Sequence, residues 1–594
     1  MVKITSILIA ALGMAAMGEA CKKTCSAVTE SGSTCTYNCT DVCSSLPAGT
    51  ARDSFINALK SSGYSCTASG VTGVKCIDGD EKYTYSQFTC IGTGFSAIAL
   101  GATLKRWYGI TDIRFFEKHG DLGGTWFTNR YPGCACDVPS ALYSFSFEPN
   151  PSWTRLLPSA DELWTYLKHT ATKYDLPRKM SFRTQVERCE WIESRSRWRM
   201  RVRDLPTNSL SFHESQFLFA GTGQLVTPRD LGIPGLERFK GRVLVPARWP
   251  SDEKGQLRGK NVVLFGNGCT AAQIVPNIVA ETNHLTQIVR SKHWIMPPID
   301  LPFPKWFIFV LNFVPGIVFL FRLIVFLIAE DDLRGFPMTK AGAEFRAGKR
   351  RIAERYMRDT APEKYHDLLI PSFEVGCKRR IFDCGYLESL HAGNFTLTDA
   401  PAVEIVPEGV RLKDDGGVIP ADVLILANGY KTNQFFGSME VVGRRGETVD
   451  EHWNSFGGAE AYNSTVMSGF PNFFMLVGPN AITGHTSAVM AAENSVNYSL
   501  RIIKPILDGK AKIAELKREA EEEYTDRIQT ALQNTVWSSG CGSWYVTDGE
   551  DGKQWNAMAY PWSQGYFWYR SLFPRWDDWT FDGPLEQKGK AVKV

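Results

Sequence analysis

Strong charge bias is missing from this chain. Lys and Arg total 66 against 63 Asp and Glu, for a net charge of +3 over 594 residues. That balance excludes the electrostatic footprint of a nucleic-acid binder, and no nucleic-acid partner is expected. Short-period repeats and low-complexity tracts are also missing, so the chain reads as an ordinary globular protein with room for two to four domains. Cysteine is scarce where thiol chemistry would need it. Cys21, Cys25, Cys35, Cys39, Cys43, Cys66 and Cys76 crowd the first 76 residues, leaving eight of the 15 for everything else. The only close pair in that remainder is Cys134 and Cys136, a spacing unsuited to an unstrained redox disulfide, and no C-x-x-C follows the first glycine loop. The body is therefore expected to carry no disulfide and to be no dithiol reductase. No metal site is expected either.

The front end has its own character. "MVKITSILIAALGMAAMGEA" carries Lys3, an apolar run from Ile4 to Met17 and small residues at Gly18 and Ala20, the pattern of a secretory leader over residues 1–20. A cysteine-rich segment and linker follow at 21–84, with a glycosylation sequon at Asn38. The leader points to the secretory route, whereas the body suits the cytosol or a membrane-associated place, so localisation stays open.

From Phe88 the pattern changes. "FTCIGTGFSAIALGATLKRWYGITDIRFFEKHG" is strand, glycine turn, helix, strand, and "NVVLFGNGCTAAQIVPNIVAETNHLTQIVRSKHW" from Asn261 repeats it. Cys90, inside the first strand, is expected to be a buried packing residue. "FLFAGTGQLVTP" and "ADVLILANGYKTN" each read as a strand entering a turn. The fold class is α/β with two dinucleotide-binding, Rossmann-like domains, one inserted in the other, plus the small cysteine-rich segment. The outer domain is placed at 85–228 and 426–594, the inserted one at 229–425. "KWFIFVLNFVPGIVFLFRLIVFLIAEDD", Lys305 to Asp332, is the most apolar stretch; Asn312, Pro315 and Arg322 argue against a membrane span. A helix pair buried in the body or lining a channel is expected there, with a membrane-surface contact through 305–329 as the first alternative and a true span as the last. The acidic run in "IAELKREAEEEYTDRIQTALQNTVW" is read as a solvated helix face.

The two glycine loops are distinguished by their second strands. In the first, Gly92 permits a tight turn, Gly94 lets backbone amides approach a pyrophosphate, and Ala97 keeps helix and strand close. Glu117, at the end of the next strand, suits the ribose hydroxyls of an adenosine. The second loop has Gly266, Asn267, Gly268, Cys269, Thr270 and Ala271, and its next strand ends in Arg290, Ser291 and Lys292, which suit a 2′-phosphate. FAD on the first unit and NADPH on the second are the cofactors this implies, with hydride passing from nicotinamide to flavin.

"GGTWFTNRYPGCACD", Gly123 to Asp137, fits every fixed position of the pattern [A/G]-G-x-W-x-x-x-x-[F/Y]-P-[G/M]-x-x-x-D, and in this the chain resembles the Baeyer-Villiger monooxygenases. The resemblance runs over roughly residues 86–580 and includes "DVPSALYSFSF", "ANGY" and "GFPNFFMLVGPNAITGHTS". "FKGRVLVPARWP" resembles the family's linker fingerprint F-x-G-x-x-x-H-x-x-x-W-P, with Phe239, Gly241, Trp249 and Pro250 in place but Val245 where the family has His. By this resemblance Gly124, Thr125, Trp126, Asp137 and Tyr143 belong to the flavin site. Ala135 stands where the family often has Arg. "VGCKRRIFD" resembles the family's small-residue and K-R run, which makes Arg379 the arginine that stabilises the reactive anion formed from oxygen and the oxyanion after attack on a carbonyl. Lys378 is then a cofactor support and Arg380 a surface residue. Arg379 and Asp137 are the catalytic candidates. Trp555, Trp562, Trp568, Trp576 and Trp579 could line an aromatic pocket or simply cover the sheet.

The resemblance implies an FAD- and NADPH-dependent monooxygenase that inserts one atom of O2 into a ketone of polyketide or steroid-like type, giving an ester or lactone, of the kind fungi use in secondary metabolism. One alternative is oxygenation at nitrogen or sulfur, as in the related flavin-containing monooxygenases. Another, from a different class, is a secreted cysteine-rich binding protein fused to an inactive flavoprotein fold. Oligomeric state is not legible.

Overall fold

A computed structural model describes residues 83–250, 255–413, 417–548 and 554–582, together with the backbone of four short strands at 24–31, 34–41, 66–69 and 73–76. The leader expected at 1–20 and the cysteine side chains of the front segment lie outside the described residues. Strand β1 (Tyr83–Ile91) begins five residues before the apolar run that marks it in the sequence, so Tyr83–Gln87 belongs to the sheet and not to the linker. Phe88, Thr89 and Cys90 are fully buried, as a strand covered on both faces requires. Helix α1 (Phe95–Tyr108) follows, buried without a break from Ala97 to Leu104, and strand β2 (Ile113–Phe116) returns parallel to β1. On the other side of β1 lies β3 (Leu210–Ala220), also parallel; Phe473–Met475 then pairs with β3.

The second sheet is built from residues between 242 and 426. Its strands are β4 (Arg242–Leu244), β5 (Asn261–Phe265), β6 (His284–Ile288), β7 (Phe395–Thr398) and β8 (Val423–Leu426), all parallel in the spatial order β4-β8-β5-β6-β7, with α2 (Cys269–Ile278) crossing from β5 to β6. Parallel β-α-β crossovers of this kind put the loops at the strand C-terminal ends, where ligands bind. The linker fingerprint is partly sheet: Arg242–Leu244 is its edge strand β4, paired with Val423–Ile425. Within it the Phe239 ring lies where a side chain on Gly241 would be, and Trp249 is buried. Val245 is half-buried against the apolar cluster of Val263, Leu424 and Leu426.

The structure corrects three expectations. The apolar stretch forms two helices, α3 (Lys305–Phe313) and α4 (Ile317–Asp331), bent by 113° at the break between them, but they are not buried: in α3 only Leu311 is, and in α4 no residue. No single helix among the described residues is long and apolar enough to cross a membrane. The acidic helix Arg518–Gln533 is not merely a solvated face, because Glu521 is completely buried against His452. The body also contains a disulfide, Cys377 to Cys541, across a separation of 164 residues. Cys90, Cys134 and Cys136 are free thiols. In the tail, Trp579 is buried and Trp555, Trp562 and Trp576 pack on the main core, whereas Trp568 is exposed.

Candidate active site

The two glycine loops have the same construction. Gly92 has φ +103° and a Cβ on it would sit 2.3 Å from the Gly221 carbonyl oxygen at the end of β3. Gly266 has φ +121° and its Cβ would sit 2.2 Å from the Ala427 carbonyl oxygen just after β8. Each first glycine therefore lets a crossing strand end close on the loop. Helices α1 and α2 begin after Gly94 and Gly268, and neither has a side chain capping its first amides. Both N-termini keep N–H groups for an anion, and the space where a side chain of Gly268 would go is open. Ala97 and Ala271 are fully buried, which holds each helix close to its sheet. Glu117 is buried and accepts from the Thr93 amide (3.1 Å), the Thr93 hydroxyl (2.9 Å) and the His119 amide (2.9 Å), so its carboxylate is fixed beside the first loop with acceptor capacity left on Oε1.

Physical reasons for the long fingerprint at 123–137 are visible in its contacts. Gly124 packs its Cα against Gly94, 3.1 Å from where a Gly124 Cβ would be, which joins the fingerprint to the first loop. Trp126 is buried and meets Tyr143 edge to face at 5.6 Å; Thr125 beside it is exposed. Further on, the segment turns to the second unit: the Tyr131 hydroxyl donates to Gln273 Oε1 (2.9 Å) and Gln273 Nε2 donates to the Ala135 carbonyl (3.0 Å). Gly133 lies against α2 so closely that a Cβ would be 2.6 Å from the Gln273 carbonyl oxygen. Its last residue, Asp137, accepts both Nε and Nη2 of Arg379 at 2.7 Å. Fifteen residues thus tie the first glycine loop, the helix of the second loop and the arginine into one site.

Burial works against the Asp137 carboxylate, but the Arg379 guanidinium outweighs it and holds the carboxyl below its ordinary range; Asp137 in turn keeps Arg379 firmly charged. Cys269, at the start of α2, lies close enough to feel both charges, and burial pushes its thiol up to about 12. Cys134 is pushed up to about 11 by burial. Neither offers a thiolate nucleophile near neutral pH. On the second unit, Asn267 donates through Nδ2 to the Ser291 carbonyl (3.2 Å), fixing the turn after β6 to the loop. Arg290 is exposed and Lys292 half-buried at that turn. Lys378 is buried over the Phe373 ring, and burial followed by the nearby Arg290 charge lowers its ammonium pKa. Arg290 and Lys378 therefore form one cationic corner from two distant parts of the sequence.

Arg380 departs from its surface assignment: it is mostly buried and donates to Asp332 Oδ2 at 2.7 Å. The pair clamps the arginine run to the end of α4. Sequence reasoning also missed the C-terminal wall of the site. Tyr545 is buried close enough to Arg379 to feel its charge, and burial raises its phenol pKa, so it remains a neutral hydroxyl. The disulfide from Cys377 to Cys541 fastens the chain just before Lys378 to the chain just before Tyr545. The only signal in the sequence was a body cysteine at each end, with nothing local to pair them.

Residues 90–159 match the family of NAD(P)-binding Rossmann-like domains. A Baeyer-Villiger monooxygenase of Streptomyces coelicolor is 32% identical over 79% of this chain and 88% of its own length. The FAD-binding monooxygenase ktnD of Aspergillus niger is 30% identical over 79% of this chain and 78% of its own. Among solved structures, closed cyclohexanone monooxygenase has the same fold, with a TM-score of 0.74 at 22% identity over 84% of this chain and 99% of that one. Steroid monooxygenase bound to NADP gives 0.71 at 22% identity over 84% and 99%. With two glycine loops joined through the 123–137 segment to a paired arginine, and relatives aligned along most of both chains, this protein belongs to the Baeyer-Villiger family of FAD- and NADPH-dependent monooxygenases.

Proposed function

We propose that this chain inserts one oxygen atom of O2 beside the carbonyl of a ketone of polyketide or steroid-like type, giving an ester or lactone. The observation that carries this reading is the position of Arg379. Its Nε and one Nη2 hydrogen are committed to Asp137, which leaves the remaining N–H groups of the guanidinium to face reacting oxygen. The residues fit the cofactors. Gly92, Gly94, Ala97 and Glu117 would hold FAD, with Gly124, Thr125, Trp126, Asp137 and Tyr143 around its ring end. Gly266 to Ala271 would hold the NADPH pyrophosphate, and Arg290, Ser291, Lys292 and Lys378 its 2′-phosphate.

When bound, these two groups supply the hydride and the reduction of oxygen. The chain's own residues do the rest. Asp137 keeps Arg379 charged and aimed, so the guanidinium favours an anionic oxygen over its protonated form and stabilises negative charge as it develops on the ketone oxygen. Tyr545, neutral and buried near Arg379, helps exclude water from the group together with Trp537, whose ring lies 6.1 Å away. No covalent bond to protein is needed.

The test is direct. Purified protein should carry yellow flavin that bleaches with NADPH, and cyclic or steroid-like ketones incubated with 18O2 should give products heavier by one labelled oxygen. Protein that stays colourless after incubation with FAD, or that releases only hydrogen peroxide with every ketone tried, would overturn the reading.

A further inference from the structure

The bent helix pair α3 and α4 is apolar on both sides: Leu311 is buried and Val325, Phe326 and Ala329 pack against the main core, while a second apolar face lies open. Trp306 is 68% exposed, Phe313 69% and Ile328 70%, and Phe319, Leu323 and Leu327 on α4 are half exposed or more. The polar side chains of the same stretch turn inward. Asn312 donates through Nδ2 to the Pro151 carbonyl (3.2 Å) and accepts from the Ser152 hydroxyl (3.2 Å). Arg322, almost buried, donates to the carbonyls of Ala141 and Ser144, on either side of Tyr143, with Glu493 4.0 Å away. Glu330 accepts from the Gly565 amide (3.2 Å) and pairs with His485 at 2.9 Å. A surface helix in water puts its apolar stripe against the core and its polar side chains outward. Here the few polar groups turn inward beside the packed apolar residues, and a second apolar side is presented, around the bend as well as along both helices. That is a wedge, far larger than the scattered surface leucines of an ordinary monomer.

We propose that this wedge docks on a lipid bilayer surface, lying in the interface without crossing it. The charge pattern fits that occupant. From Leu301 to Ala329 there is no acidic residue, and the base Lys305 at the start of α3 is exposed; beyond the acidic end of α4, Lys340 and Arg334, the latter paired with Asp331 at 3.1 Å, are exposed too. Such a pattern suits anionic headgroups around an apolar insertion. Trp306 stands at the start of α3 beside Lys305, and the helix Gln564–Leu572, which begins against Glu330, carries Trp568 and Tyr569, each 52% exposed. Amphipathic rings of this type settle at the headgroup level. The length also fits: neither helix can span the hydrocarbon alone, and the 113° bend lets both lie shallow.

Flotation of the full chain with vesicles of mixed phosphatidylcholine and phosphatidylserine tests this. The chain should float with the vesicles, more in the mixed vesicles than in phosphatidylcholine alone. A variant carrying Phe319→Ser, Leu323→Ser and Leu327→Ser should keep its thermal midpoint and lose at least about tenfold in the bound-to-free ratio. Phe313→Ser with Val314→Ser at the bend should act in the same direction should the triple variant fold poorly. Equal flotation of the wild type and these variants would place any lipid contact elsewhere and overturn the proposal. So would a wild-type chain that ignores vesicles, or one that forms dimers without lipid which the substitutions dissociate.

Discussion

Asp137 and Arg379, 242 residues apart, meet through two parallel hydrogen bonds of 2.7 Å, carboxylate to guanidinium. The two side chains are 27% and 30% exposed, so the pair is partly sheltered and its geometry is worth more than that of a surface ion pair. Asp137→Asn keeps the shape but replaces one accepting oxygen by a donor that faces a donor. We expect oxygenation to fall by about a hundredfold and stability by on the order of 2 kcal/mol, read as product yield and as the urea midpoint. The direction of the Asp137 shift also fixes a pH dependence. A carboxyl held below its ordinary value stabilises the fold above that value and loses the contribution as the pH falls through the lowered one. Wild type should therefore lose more stability than Asp137→Asn on acidification below about pH 4.

Gly133 sets the distance between the fingerprint and the second unit. Its φ is +78°, and an added Cβ would meet the Asn277 amide at 2.2 Å and the Gln273 backbone oxygen at 2.6 Å. The amide can move and the backbone oxygen cannot. Gly133→Ala should cost about 1–3 kcal/mol and weaken NADPH binding more than flavin retention, as measured by thermal unfolding and by NADP titration.

The disulfide should matter for activity more than its distance from any cofactor loop would imply. Cys377 precedes the Lys378–Arg379 pair and Cys541 precedes Tyr545, so the bond holds the wall near Arg379. Cys541→Ser should lower stability by about 2–4 kcal/mol and reduce product formed per NADPH consumed, while flavin content stays unchanged. Unchanged coupling in the variant would show that the wall stays in place without the bond.

His452 is completely buried between Glu521, 3.1 Å away, and Glu460, 3.4 Å away, with Glu447 and Arg518 on its other nitrogen. Burial alone would favour the neutral ring, but the hydrogen bonds and charges of Glu460 and Glu521 win and raise its pKa to about 10. A raised folded value means stabilisation that is complete below about pH 6.5 and lost as the pH rises through about 10. Thermal midpoints should fall over that window in wild type and stay flatter in His452→Gln.

How much of this was legible without the structure depended on how local the signal was. Strands buried on both faces are continuous apolar runs, so β5 and β8 could be read directly; β4 could not, because three residues at a sheet edge carry too little pattern. The glycine loops and the 123–137 segment are fixed by close backbone approaches, which leave glycines at set spacing. Contacts between distant residues leave no such mark. Nothing near Cys377 points to Cys541, nothing near Arg379 points to Tyr545, and Glu521 looks like its solvated neighbours. For α3 and α4 the composition was plain, but composition does not say which face turns inward; that was decided by Asn312, Arg322 and Glu330 finding partners on the body.

Single-turnover kinetics of Arg379→Ala test the central claim most directly, because they separate the two halves of the reaction. With the flavin reduced by NADPH without oxygen, and oxygen and ketone then added, the variant should bleach at close to the wild-type rate and lose product by about a hundredfold or more. Ester formation at the wild-type rate in that variant would contradict the account.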